Sequence, residues 1–221
     1  VTVSPTVKYT APFAVFVLAM SLHSVVAIPE LADQVLRIGA PAAVILLVSR
    51  DILDFRITRA WATIVIGLLV FTVWVGPDLL SPGYRHHWLF ENTLLGTAKS
   101  SMAVSARSDG LILTLRALRA SIVVPIVEEL FWRAWLMRWL ISPRFTKVPL
   151  GTYQPMSFWL CAVLFASEHG SYWEVGLIAG VVYNWWMLRT RSLGDLILAH
   201  AITNACLSAF VIGAGKWEYW L

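Results

Sequence analysis

Apolar runs of membrane-spanning length recur along this chain, and they constrain its fold more than any other feature. About twenty apolar residues cross the hydrocarbon core of a bilayer as a helix. Such runs cover roughly 11–28, 36–49, 61–76, 111–141, 157–168, 174–188 and 193–213. Backbone polar groups in lipid must be satisfied within the segment, so helices are the expected form for these runs. Composition agrees, with 58% of 221 residues hydrophobic and 14% charged, against about 45–50% and 25% in soluble domains. The expected fold is all-α: a polytopic transmembrane helix bundle of about seven to eight helices, with about seven spans. One membrane domain is expected overall, residues 1–110 holding the N-terminal spans and a polar or interfacial loop, and residues 111–221 the remaining helices. The first run has only Lys8 before it and no clear small-residue cleavage site, so it reads as a retained span.

Charge points to orientation and not to nucleic acid. The net charge is +4, with no Lys/Arg-rich run and no RNA-binding aromatic motif. Arg50, Arg56 and Arg59, then Arg144 and Lys147, then Arg189 and Arg191 follow alternate apolar runs, while the connection 29–35 carries Glu30 and Asp33 without a base. The positive-inside bias then sets the N-terminus in the cytoplasm, and a bacterial inner membrane is the expected location. Trp61 and Trp74 near the ends of the third run fit interfacial anchoring. Cys161 and Cys206 lie in apolar runs and read as small packing residues.

The chemistry is carried by polar residues inside apolar segments. A charge at mid-membrane costs about 2.5–3.5 kcal/mol on insertion scales and faces the bundle interior with a partner or a task. Glu128 and Glu129 are adjacent in the long fourth run, so on a helix they point about 100° apart. Arg133 follows Glu129 by four residues and can pair with it, which leaves Glu128 free to face a cavity. All three as one buried packing network is the plainer alternative. Trp132, Trp135 and Trp139 read as a lipid-facing or packing stripe. His169 ends an apolar run just before Gly170 and, taken alone, reads as a helix cap or interfacial residue. His200 and Asn204 are four apart on the last run and share a face, which interhelical hydrogen bonding alone would explain. Together these groups supply what peptide hydrolysis needs: a carboxylate and an imidazole to deprotonate water, and an imidazole and a carboxamide to hold an oxyanion.

Three motifs stand in order, Glu128-Glu129-LFW-Arg133, Phe165-ASE-His169 and His200-AIT-Asn204. In these the chain resembles the CPBP family, the CAAX-protease and bacteriocin-processing (Abi) membrane proteases, over roughly 120–210. The resemblance implies glutamic-type intramembrane proteolysis, with a catalytic core over 111–221. By that likeness Glu128 and His169 activate water, His200 and Asn204 stabilise the oxyanion, and Glu129 and Arg133 support the site. The implied partner is a membrane-embedded or membrane-anchored peptide or protein. The compact, tryptophan-rich chain is also similar to the branch associated with exosortase systems. Eukaryotic members act on prenylated proteins, and that specificity is not carried over.

Two other readings remain. Glu128, His169 and His200 could supply a zinc set, but there is no His-Glu-x-x-His motif, and no metal or other cofactor is expected. A non-catalytic scaffold, immunity protein or transporter could keep the same polar network for binding. His86 and His87, beside Trp88 and Phe90, read as part of an interfacial belt, with a lid as the sharper alternative; His23 reads as a packing or hydrogen-bonding residue of the first run.

Overall fold

The computed structural model describes residues 3–22, 25–93 and 95–220, so His23 lies outside the described residues. Among the described residues there is no strand, and an isolated bridge joins Asn92 to Gly96. The helices are α1 (Pro5–Leu22), α2 (Glu30–Ile52), α3 (Ala60–Leu80), α4 (Gly110–Trp139), α5 (Pro155–Ser167), α6 (Trp173–Thr190) and α7 (Leu193–Ala214). Five of them, α1 to α4 and α7, are long and apolar enough to cross a membrane. The chain is an integral membrane protein with an all-helical bundle fold. The expected count of about seven spans is thus not met by length and hydropathy. α5 has 13 residues, about 20 Å at 1.5 Å per residue, short of the hydrocarbon core. α6 is interrupted by Glu174, Asn184 and Arg189.

Several boundaries differ from the sequence expectation, for local reasons. Residues 29–35 are not a connection: α2 begins at Glu30, and Asp33 pairs with Arg37 one turn on, both buried, at 2.9 Å. Pro12, Pro41 and Pro77 lie inside helices and do not bound them. Each removes one N–H, and helix packing in a membrane tolerates that loss. α3 therefore runs through Pro77 to Leu80. Trp61 is 84% exposed, whereas Trp74 is half-buried against the bundle. Its ring meets His169 edge-on at 5.1 Å and stacks on Tyr172 at 6.4 Å.

α3 and α7 lie against each other at the centre of the bundle. Gly67 permits this approach, since a Cβ there would stand 2.6 Å from the Ala199 carbonyl oxygen. α7 starts on Asp195, which accepts hydrogen bonds from Thr58 N and Oγ1, Arg59 N and Thr63 Oγ1. At the opposite end the polar loop after α3 holds two short 3₁₀ turns, Tyr84–His86 and Val104–Ser108. Arg85 fastens it: the guanidinium donates to Asp78, Glu174 and the Ser171 carbonyl and lies 4.1 Å over the Tyr172 ring. Burial works to lower its pKa, but the hydrogen bonds and charges of Asp78 and Glu174 outweigh that and raise it. His86 is exposed and bonded to Glu91 at 2.9 Å, and Trp88 is 69% exposed.

Candidate active site

Asp109 caps α4, its carboxylate accepting from Leu111 N and Ile112 N. Pro125 cannot donate to the turn before it, and the ladder widens to π geometry just upstream, at Arg119–Val123. A second π segment, Leu130–Leu136, follows the two glutamates directly. Such bulges redirect side chains at functional sites, and Glu128 and Glu129 do go separate ways.

Glu129 has no exposed surface and neither has Arg133. Their Oε1 and Nη1 are 3.1 Å apart, as the i, i+4 spacing predicts. The same Oε1 also accepts from His200 Nδ1 at 2.8 Å. Arg133 Nε donates to Asn184 Oδ1 at 3.1 Å, Asn184 Nδ2 donates to the Phe158 carbonyl, and the guanidinium lies 4.3 Å over the Phe165 ring. Glu129 thus joins α4 to α7, a link wider than the pair with Arg133 alone.

Glu128 faces a cavity of about 370 Å³, shared with Glu168, His169, His200 and Asn204. Its Oε2 is buried with no hydrogen-bond partner among the described residues. His169 follows α5 directly, and its Nδ1 is 2.8 Å from the Phe165 carbonyl oxygen. A carbonyl only accepts, so this network assigns the proton to Nδ1 and leaves the Nε2 lone pair open. The ring thus caps one of the last carbonyls of α5, as the helix-cap reading expects, while Nε2 stays available. Gly176 makes room for the ring, since a Cβ there would come within 3.1 Å of Nδ1. On α7, His200 stacks against Tyr183 at 5.2 Å, and Tyr183 donates to Thr203. Asn204 Nδ2 donates to the Ala120 carbonyl at 2.8 Å, which leaves its second N–H for another acceptor.

All four of these residues border one cavity, with Glu129 and Arg133 behind them. Among the described residues no three His, Cys, Asp or Glu side chains are grouped so that they could hold a metal ion. Trp132 is buried, Trp135 half-buried and Trp139 exposed, so the stripe grades from packing to lipid-facing. Cys161 is buried with its Sγ on the Trp132 carbonyl, while Cys206 is half-buried.

Residues 110–206 match the family model described as type II CAAX prenyl endopeptidase, Rce1-like. Over these residues the chain is similar to the CAAX-protease family. No curated protein and no solved structure matches the chain. The matched segment runs from the start of α4 to the middle of α7 and holds every motif residue named above. The cavity extends past it: Phe13, Phe16 and Met20 of α1, Val70 and Trp74 of α3, and Trp220 also wall it. Motif reading does not reach these residues, nor Glu168, Arg116 and Arg119. For the two arginines a usable signal exists, as cations within an apolar run.

Proposed function

We propose that the protein is an intramembrane endopeptidase that hydrolyses a peptide bond of a membrane-embedded or membrane-anchored protein with water activated by Glu128 and His169. The observation that carries this reading is the convergence of Glu128, His169, His200 and Asn204, from three stretches of chain, on one cavity. The orphan Oε2 of Glu128 and the open Nε2 of His169 are acceptors, suited to hold a water and take its proton as it attacks the carbonyl carbon. Asn204 offers an N–H to the developing oxyanion. His200 Nδ1 already carries a proton on Glu129, so its Nε2 donates to the oxyanion only when that nitrogen is protonated too. Glu128 then returns its proton to the leaving amine. Apolar walls strengthen each of these interactions by excluding bulk water.

The N-terminus is proposed to lie in the cytoplasm of a bacterial cell, in the inner membrane. Supporting this, basic segments gather at one end: Lys8 pairs with Asp51, Ser192 Oγ donates to the Arg56 carbonyl, and the Thr58–Arg59 backbone bonds Asp195. α5 and α6 form a hairpin, which returns Arg189 and Arg191 to the side of Arg144 and Lys147.

The purified protein in lipid nanodiscs, mixed with a library of apolar peptides and read by mass spectrometry, tests the activity. Internal cleavage that persists with 1,10-phenanthroline present is the expected result. Intact peptides after incubation with folded protein would favour a scaffold, and loss of cleavage on chelation would favour a zinc enzyme. Asn204→Ala is expected to slow cleavage by about 10²–10³-fold, mainly in kcat, as loss of one oxyanion donor does; steady-state kinetics on the best-cleaved peptide measure this.

A further inference from the structure

Of the titratable side chains that line the cavity, among the described residues, Glu168 is the exposed one; Glu128 and His169 are half-buried and the rest are buried. Glu168 follows α5 directly and precedes His169. Here the chain leaves the helix and turns through the 3₁₀ segment Gly170–Tyr172, where Arg85 holds the Ser171 carbonyl and so fastens the polar loop. Non-helical backbone in a membrane protein is tolerated where protein covers it or water reaches it. An exposed carboxylate at such a bend stands in water, since lipid would make it costly. On its inner side Glu168 reaches the site. Its charge acts on Glu128 more strongly than the charges of Glu129, the neighbour in the chain, and of Arg133. Glu168 thus touches both the cavity of Glu128 and the solvent.

The proton balance of peptide hydrolysis leaves work for a second carboxylate. The attacking water brings two protons. Glu128 takes the first as the new C–O bond forms and passes it to nitrogen as the C–N bond breaks. The second stays on the new carboxyl group. In neutral water the products are a carboxylate and an ammonium ion. One proton therefore has to leave the cavity for each one that the freed amine takes up outside. Phe13, Phe16 and Met20 of α1 and Val70 of α3 wall the cavity and carry no proton. We propose that Glu168 is the route out: its carboxylate accepts the proton of the newly formed carboxylic acid and hands it to the water outside the bundle. One O–H bond breaks on the product and one forms on Glu168, with no change of oxidation state. Release to water returns Glu168 to the carboxylate and resets the site for the next turnover. This inference rests on the hydrolase reading and adds a second carboxylate to it.

The test compares the parent protein with Glu168→Gln in nanodiscs on the best-cleaved peptide of the apolar library. The pH and ionic strength are held constant, and imidazole is added in rising concentration as a diffusible proton carrier. Glu168→Gln is expected to keep the parent's thermal midpoint and KM and to lose about 10²-fold in kcat, the lower end of the range for a positioned proton-transfer group. Imidazole should raise its rate in proportion to concentration and leave the parent's rate unchanged. Glu168→Asp, which keeps the carboxylate, should keep most of the activity and need no imidazole. Rescue by a buffer separates proton transfer from packing, because imidazole cannot restore a lost contact. Glu168→Ser, run in parallel, gives the same readout should the glutamine variant fold poorly. A folded variant with the parent's kcat, one that is slow but blind to imidazole, or one changed in KM alone would overturn this inference and leave the hydrolase reading standing. No cleavage by the folded parent would overturn the hydrolase reading and this inference with it.

Discussion

Glu129→Ala is expected to cost the folded state about 3–5 kcal/mol, the penalty for breaking a buried ion pair from one side. The carboxylate accepts from both Arg133 and His200, and neither it nor Arg133 touches solvent. Without it Arg133 keeps only Asn184 as a hydrogen-bond partner, and the tie between α4 and α7 is lost. At about 2–4 °C per kcal/mol for a chain of this size, the thermal midpoint should drop by on the order of 10 °C. Thermal unfolding in detergent, followed by tryptophan fluorescence, measures the drop. The double variant Glu129→Leu/Arg133→Met should regain most of the loss, because apolar residues of similar volume replace buried pairs at little cost. It should not regain activity, since His200 would lack the hydrogen bond to Glu129 that orients its ring. A single variant as stable as the parent would remove the structural role assigned to Glu129.

His169→Ala is expected to act in the opposite way, on rate and not on stability. Its ring makes one hydrogen bond, to the carbonyl of Phe165 within the same turn, and ring contacts with Trp74 and Phe165. Little of the bundle depends on either. The open Nε2, on the cavity that Glu128 also lines, is what the proposed chemistry needs, and loss of a positioned base slows such reactions by about 10²–10⁴-fold. The expected result is a kcat lowered by that factor with the thermal midpoint within a few degrees of the parent. A large fall in midpoint with activity retained per folded molecule would make His169 a packing residue.

What could be read from the sequence is what membrane energetics makes expensive. Glu128, Glu129 and Arg133 stand out because charges in an apolar run need a reason, and the four-residue spacing pairs Glu129 with Arg133. The bond from His200 to Glu129 is not legible in this way, because it requires α4 and α7 to be adjacent, and no local pattern encodes that. Trp74 shows the same limit. At a run's end a tryptophan fits the interface, yet continuation of α3 through Pro77 turns it inward to His169. Glu30 and Asp33 look like loop charges until α2 supplies the turn that pairs Asp33 with Arg37. The span count differs because α5, at 13 residues, is shorter than the other apolar helices, which apolar character alone does not reveal.

The most direct measurement is the rate of peptide cleavage by the parent and by Glu128→Gln, side by side in nanodiscs with 1,10-phenanthroline present. Glutamine keeps the shape of the side chain at the buried Oε2 position but cannot take a proton. If Glu128 activates the water, the parent cleaves and the variant, equally folded, is slower by about 10²–10⁴-fold. Cleavage by Glu128→Gln at the parent's rate would contradict it.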